Sequence, residues 1–331
     1  MRRILYQCCL LPVAGLLLLA ACQRNNKKKE PEVAYPPVAE QRAALLDKPY
    51  ATPVRLLDSL QMITDLAYLA SADCQGRQPG TAGHDLSLQR VLERMREAGV
   101  DSFDNALLKT FSGKAINGTT AGKNVAGWVP GTTQPDKYII VTAHYDHLGT
   151  NAGGAVFHGA DDNASGTACL LAMAKYFKQH PLPYSLVFAA LDREEVGLEG
   201  AYALADYLVN KLGRQQIVFN INLDMISRSD NNELFACGIW HFPEYRKAID
   251  AVQPLTNTRL LMGHDSSGGP DDWTNQSDHA AFFQKNIPFI YLGVEDHPDY
   301  HQPTDTFDKI NPGRYLENAN LVLLLVKAIK P

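Results

Sequence analysis

Among the six cysteines of this 331-residue chain, no two stand at a Cys-x-x-Cys spacing, so the usual signature of a thiolate zinc site is missing. Cys8, Cys9 and Cys22 fall within or at the end of an N-terminal apolar stretch, which leaves Cys74, Cys169 and Cys237 for the body of the protein. Three is an odd number, and a disulfide framework is not indicated. Positive charge is also short. Against 36 Asp and Glu stand 31 Lys and Arg, a formal charge of −5, which disfavours nucleic acid as a partner. No internal repeat and no second domain can be read from the pattern. Nor does the composition suit a disordered or fibrous chain, since 45% hydrophobic and 20% charged residues with modest glycine and proline allow a large buried core.

What is present begins with "MRRILYQCCLLPVAGLLLLAAC". Two arginines, an apolar run and small residues before a cysteine read as an export signal. "LAAC", Leu19 to Cys22, resembles a bacterial lipobox, in which cleavage precedes the cysteine and the cysteine carries lipid. Residues 1–21 are therefore expected to be a lipoprotein signal peptide. Its removal takes away Arg2 and Arg3 and no acid, moving the formal charge from −5 to −7. The polar, proline-bearing stretch that follows, "QRNNKKKEPEVAYPPVAEQR", suits a flexible tether over 22–51. A folded domain is expected over 52–331, exported and held to a bacterial membrane, on its periplasmic or cell-surface side, by a lipid on Cys22.

Beyond residue 84 apolar runs alternate with helical patterns. "HDLSLQRVLERMREAGV", "ASGTACLLAMAKYFKQH" and "GLEGAYALADYLVNKL" have helical spacing, while "KYIIVTAHYD", "YSLVFAALDREE" and "QIVFNINLDMI" read as buried strands. Strands separated by helices require crossover connections, so the expected fold is α/β, a mostly parallel, mixed central sheet with helices on both faces. Each of these strands runs into polar residues at its C-terminal end, where ligands of such sheets bind. His144, Asp146, Glu194, Glu195 and Asp224 all fall there.

A lone histidine or aspartate after a strand is most often a cap or a hydrogen-bonded loop residue. Here five segments act together: "AHYDHLG" (143–149), "GADDNASG" (159–166), "DREEVGLEG" (192–200), "NLDMI" (222–226) and "DYHQPTDTFDKI" (299–310). The adjacent glutamates Glu194 and Glu195 repel one another, and carboxylates beyond a strand end are costly unless a cation compensates them.

In this set and its order the chain resembles the co-catalytic di-zinc aminopeptidases of the bacterial leucyl aminopeptidase type, whose relatives include glutamate carboxypeptidases and glutaminyl cyclases. The resemblance covers roughly residues 55 to 330 and includes the glycine-rich "GRQPGTAG" (76–83). It implies a single zinc-exopeptidase-like domain with two Zn2+ ions. His144 and Asp224 would hold one ion, Glu195 and His301 the other, and Asp162, the aspartate of D-x-x-S-G, would bridge them. Glu194 matches the general base, and Asp146 a partner of the second ring nitrogen of His144. Tyr300 matches a donor to the substrate carbonyl as it becomes an oxyanion. Asp161 would be a neighbour rather than a ligand, and His147 has no assigned role. Asp278 and His279 of "SDHAAF" would stand behind the ligands, and "GHDSSGGPDDW" (263–273) would shape the substrate pocket.

The resemblance implies a metallo-aminopeptidase acting on peptide substrates. Glutaminyl cyclases share the fold but generally work with one zinc and lack the full ligand set, all of which is kept here. A carboxypeptidase of the same fold would use the same chemistry. A non-catalytic binding module would usually have lost ligands, and this chain has lost none.

Overall fold

The computed structural model describes residues 35–46, 48–228, 231–266 and 271–330. Its elements follow from the periodicity of the chain. Helices α1 (Val38–Leu46), α2 (Ser59–Leu69) and α3 (Ala82–Ala98) precede the strands β1 (Asp101–Ser102), β2 (Leu108–Ile116), β3 (Thr119–Val129) and β4 (Gln134–His144). Helix α4 (Gly166–Gln179), β5 (Tyr184–Leu191), α5 (Glu199–Leu212) and β6 (Ile217–Leu223) continue the alternation. Strand β7 (Glu233–Cys237), α6 (Arg246–Val252), β8 (Arg259–Met262), α7 (His279–Phe283), β9 (Phe289–Gly293) and α8 (Pro312–Ala328) complete it. The ends are punctuated as expected: Thr81 caps α3 by accepting the amide of His84, and Gly99 closes it in the left-handed conformation.

The strands form one mixed sheet in the order β1-β3-β5-β4-β6-β9-β7-β8, with β2 paired to β3. Its centre is parallel, β5 with β4, β4 with β6 and β6 with β9. The expected sheet is thus present. The antiparallel pairings of β1, β2 and β5 with β3, and of β7 with β9, each involve a strand outside the three runs picked out in the sequence. Along β5 the side chains alternate between two cores. Leu186, Phe188 and Ala190 pack in the core that includes α2, α3, α4 and α8. Val187, Ala189 and Leu191 pack in the one with α5 and α7. A strand covered on both faces reads as a continuous apolar run, which is why "YSLVFAAL" is wholly buried.

The tether expected over 22–51 needs correction at its C-terminal end, because Tyr35 onward is packed on the domain. Tyr35 is buried, Gln41 bonds to both backbone groups of Met262, and Ala51 pairs with Asn257. A proline-bearing, polar stretch can still be ordered when its few apolar side chains find a groove. Residues 1–34, with the signal and Cys22, lie outside the described residues. Among the described residues no helix is long and apolar enough to cross a membrane.

Candidate metal centre

Strands β4, β5 and β6 are neighbours, and their C-terminal ends deliver His144, the Glu194–Glu195 pair and Asp224 to one edge. The loop before α4 brings Asp162 between them, and the loop after β9 brings Tyr300 and His301.

Two donor sets result. In the first, His144 Nε2 lies 3.4 Å from Asp162 Oδ1 and 3.2 Å from Asp224 Oδ1. In the second, His301 Nε2 lies 3.1 Å from Asp162 Oδ2 and 3.3 Å from Glu195 Oε2. A tetrahedral zinc with ligands at about 2.0–2.1 Å separates neighbouring donor atoms by about 3.3 Å. All four spacings fit that edge, and the two oxygens of Asp162 serve one set each. The donor atoms therefore have spacings compatible with zinc, and Asp162 offers one oxygen to each set.

His147 approaches the second set differently. Its Nδ1 lies 2.7 Å from Glu195 Oε1, a hydrogen bond rather than a ligand edge, and 3.7 Å from Asp162 Oδ2. His147, Asp162 and Glu195 also lie close enough together to hold an ion. His301, at ligand-like spacing to both carboxylates, and His147, hydrogen-bonded to the other oxygen of Glu195, thus both stand where they could complete the second set.

Asp146 stands beside the second ring nitrogen of His144 and also meets the glutamate pair. Its carboxylate is 3.7 Å from His144 Nδ1, and the nearer acceptor for that nitrogen is the Asp146 carbonyl at 3.3 Å. The carboxylate also accepts the amides of Glu194 at 3.1 Å and Glu195 at 3.4 Å. It fixes the turn that presents the glutamate pair. Asp161 points away from the site into hydrogen bonds with Ser227 and Ser165 and stands 3.2 Å from His297 Nε2.

Around the ligands stand residues that the motifs did not single out. Ser277 donates to Asp224 Oδ2 at 2.7 Å and receives Asn222 Nδ2 at 2.9 Å, so the other oxygen of Asp224 is left for His144. Asp305 accepts the amides of Asp161 and Asp162, fixing the bridging residue from behind. Arg77, wholly buried, donates to the carbonyls of Leu69, Tyr145, His158, Gly159 and Asp162. Gly76 beside it has φ +70°, and a Cβ there would lie 2.3 Å from the Gly149 carbonyl. The signal in "GRQPG" was thus an arginine framed by glycines, though nothing in it named its acceptors.

The electrostatics are those of carboxylates gathered before a cation. Burial and the neighbouring charge of Glu195 raise Asp162 above the usual carboxylate range. Burial also raises Glu194 strongly, with His144 opposing and Glu195, Asp224 and Asp278 adding to the rise. For Glu195 burial is outweighed by hydrogen bonds from His147 and His301, which hold it far below that range. Burial works against His301, but Asp162 and Glu195 push it up to about 10. In the metal-free chain, protons on histidines thus stand where divalent cations would compensate the acids, and metal binding displaces them. Asp278 is buried beside the site, its carboxylate oxygens without a hydrogen-bond partner among the described residues, and burial pushes it up to about 8. His279 Nε2 donates to the carbonyl of Trp273 at 2.9 Å.

A cleft opens on these groups, lined by both donor sets' His144, Asp162, Asp224 and His301, by Glu194 and Tyr300, and by Met225, Trp273, Gln276, Tyr291, Val294 and Asp296. Tyr300 stacks on His301 with ring centroids 3.9 Å apart. Of the expected pocket loop, Trp273 reaches the cleft, while residues 267–270 lie outside the described residues.

The profile of the family described as Peptidase family M28 matches residues 124–326. Aminopeptidase YwaD of Bacillus subtilis (strain 168) is 28% identical over 227 residues, covering 66% of this chain and 47% of that protein. The chain spans about half the length of the curated relatives it matches. Among solved structures, the zinc aminopeptidase BSAP from Bacillus subtilis superposes with a TM-score of 0.63 at 19% identity, over 83% of this chain and 96% of that one. The Porphyromonas gingivalis glutaminyl cyclase gives 0.66 at 18% identity, over 83% and 100%. Likeness at this identity establishes the fold.

Proposed function

The chain belongs to the Peptidase family M28, and from that premise we propose that it is a zinc-dependent aminopeptidase that removes residues from the free N-terminus of peptides. The observation that carries the choice of terminus is the lining of the cleft. Among the described residues it has acids, among them Asp296, which belongs to neither donor set, and no lysine or arginine. An N-terminal ammonium finds a fixed acid there, whereas an acidic C-terminal residue would find no fixed cation.

His144 and Asp224 would hold one zinc, Glu195 and His301 the other, and Asp162 both. When bound, the two ions would polarise the scissile carbonyl and acidify the attacking water. Glu194 lines the cleft beside both sets, takes the proton from that water and passes it to the leaving amine. Tyr300, fixed by its stack on His301, donates to the carbonyl oxygen as charge develops there. Asp146 positions the glutamate pair through its amides, and His147 holds the oxygen of Glu195 that faces away from His301. The completeness of both donor sets supports a hydrolase over a one-zinc glutaminyl cyclase. We also infer export and attachment to a bacterial membrane through a lipid on Cys22, supported by the sequence of the N-terminus.

The test is a substrate profile of the purified, zinc-loaded soluble domain on amino-acid anilides, N-blocked peptides and glutaminyl peptides. Cleavage confined to substrates with a free amine is expected. Release of C-terminal residues from N-blocked peptides, or loss of ammonia from N-terminal glutamine as the main reaction, would overturn the proposal.

A further inference from the structure

We propose that residues 35–46 are a strap that positions the pocket wall formed by Trp273, with Tyr35 as its positioning residue, so that side-chain selectivity depends on a segment far from the ligands in sequence. The substrate assay rests on the aminopeptidase reading, while the geometry stands by itself.

The strap grips three of four consecutive residues. Gln41 donates to the Met262 carbonyl at 2.7 Å and accepts its amide at 2.8 Å, extending β8 as another strand would. Val38 covers Gly263, where an added Cβ would come within 3.2 Å of Val38 Cγ2. The Tyr35 hydroxyl donates to Oδ1 of the buried Asp265. Asp265 Oδ2 receives the amides of Gly238 and Trp240, and the Tyr35 ring stands edge-on to Trp240 at 6.3 Å.

The fourth residue, His264, is thereby fixed between anchored neighbours. Its ring lies flat on Trp273, with centroids 3.7 Å apart and planes within 3°. Its carbonyl accepts the Trp273 amide at 2.6 Å, and Phe235 closes on both rings edge-first. Trp273 then lines the same cleft as the donor residues, together with Met225 and Val294. The links from Tyr35 through Asp265 and His264 to Trp273 are hydrogen bonds, ring contacts and adjoining backbone, so a displacement at Tyr35 is transmitted to the wall rather than absorbed by a loop. Without the Tyr35 hydroxyl, Asp265 keeps only backbone donors among the described residues, and the strap loses its hydrogen bond to the loop.

The experiment compares the chain from residue 22 onward with its Tyr35→Phe and Gln41→Ala variants. Metal content, kcat and KM are measured on anilides of alanine, leucine and phenylalanine. Acrylamide quenching of Trp273 is followed in the same proteins carrying Trp128→Phe and Trp240→Phe. Tyr35→Phe is expected to keep both metals, and kcat and KM on the alanine substrate. KM for leucine and phenylalanine should rise about tenfold, the worth of one buried hydrogen bond to a charged group, and Trp273 should quench more readily. Gln41→Ala, which removes both bonds to Met262, should show the same changes. Unchanged quenching of Trp273 in both variants, or an equal change for all three substrates, would overturn the strap. If the unmodified chain cleaves no anilide, the aminopeptidase reading fails, and quenching alone decides on the strap.

Discussion

Replacing Arg77 by methionine should be the costliest single change outside the ligands. A guanidinium carries five N–H donors, and all five are used here, to carbonyls at 2.7–3.1 Å. Methionine fills a similar volume but takes the donor from five carbonyls, of which that of Gly159 keeps the Ala164 amide at 3.2 Å. At about 1–3 kcal/mol for each unsatisfied group, the loss is on the order of 5 kcal/mol even after some rearrangement, close to the whole stability of a marginal domain. The change also removes a positive charge facing Asp162, Asp305 and Asp146, so the cluster of acids becomes harder to hold before zinc arrives. Arg77→Lys keeps the charge but has three donors, and should fall between. Urea unfolding followed by circular dichroism, with and without zinc, measures both. A methionine variant within about 1 kcal/mol of the parent, with unchanged zinc affinity, would refute the assignment of Arg77 as the clamp of the ligand loops.

Cys22→Ser in the full chain should move the protein from the membrane to the soluble fraction with turnover unchanged, and continued tight membrane association would point to another anchor. Asp278 supplies a pH dependence in the metal-free chain. Burial raises its pKa from the usual 3.8 to about 8; a pKa raised by folding contributes stability that is fully present below the unfolded value and lost as pH rises through the folded one. The melting temperature of the metal-free parent should therefore fall more between pH 5 and pH 9 than that of Asp278→Asn, which cannot ionise. Parallel curves for the two would contradict the assignment.

The sequence revealed those parts of the site in which residue type alone limits the chemistry. Apolar runs ending in His144, Glu194–Glu195 and Asp224 were legible because a buried strand must be apolar and its end need not be. The D-x-x-S-G spacing picked Asp162 over Asp161, in keeping with Asp161 turning to Ser227 and His297. Three things were not legible, for one physical reason. The amide partners of Asp146, the acceptors of Arg77 and the grip of Tyr35 on Asp265 are contacts to backbone groups or to residues far along the chain. A backbone carbonyl has no residue identity, and a partner 230 positions away leaves no local period. The tether was overextended for a related reason: its proline and polar content describes what the segment lacks, while its order comes from a few side chains, Tyr35, Val38 and Gln41, that meet a groove built elsewhere.

Glu194→Gln tests the central claim most directly, because the amide keeps the size of the side chain and removes its ability to accept a proton. Zinc content and steady-state turnover on an unblocked amino-acid anilide should be measured on the same preparation. The account predicts two zinc ions per chain, a KM close to that of the parent, and kcat lower by about 10²–10⁴-fold, the usual worth of a positioned general base. A variant that loses zinc would make Glu194 a ligand, and one that keeps full turnover would contradict its role as the base.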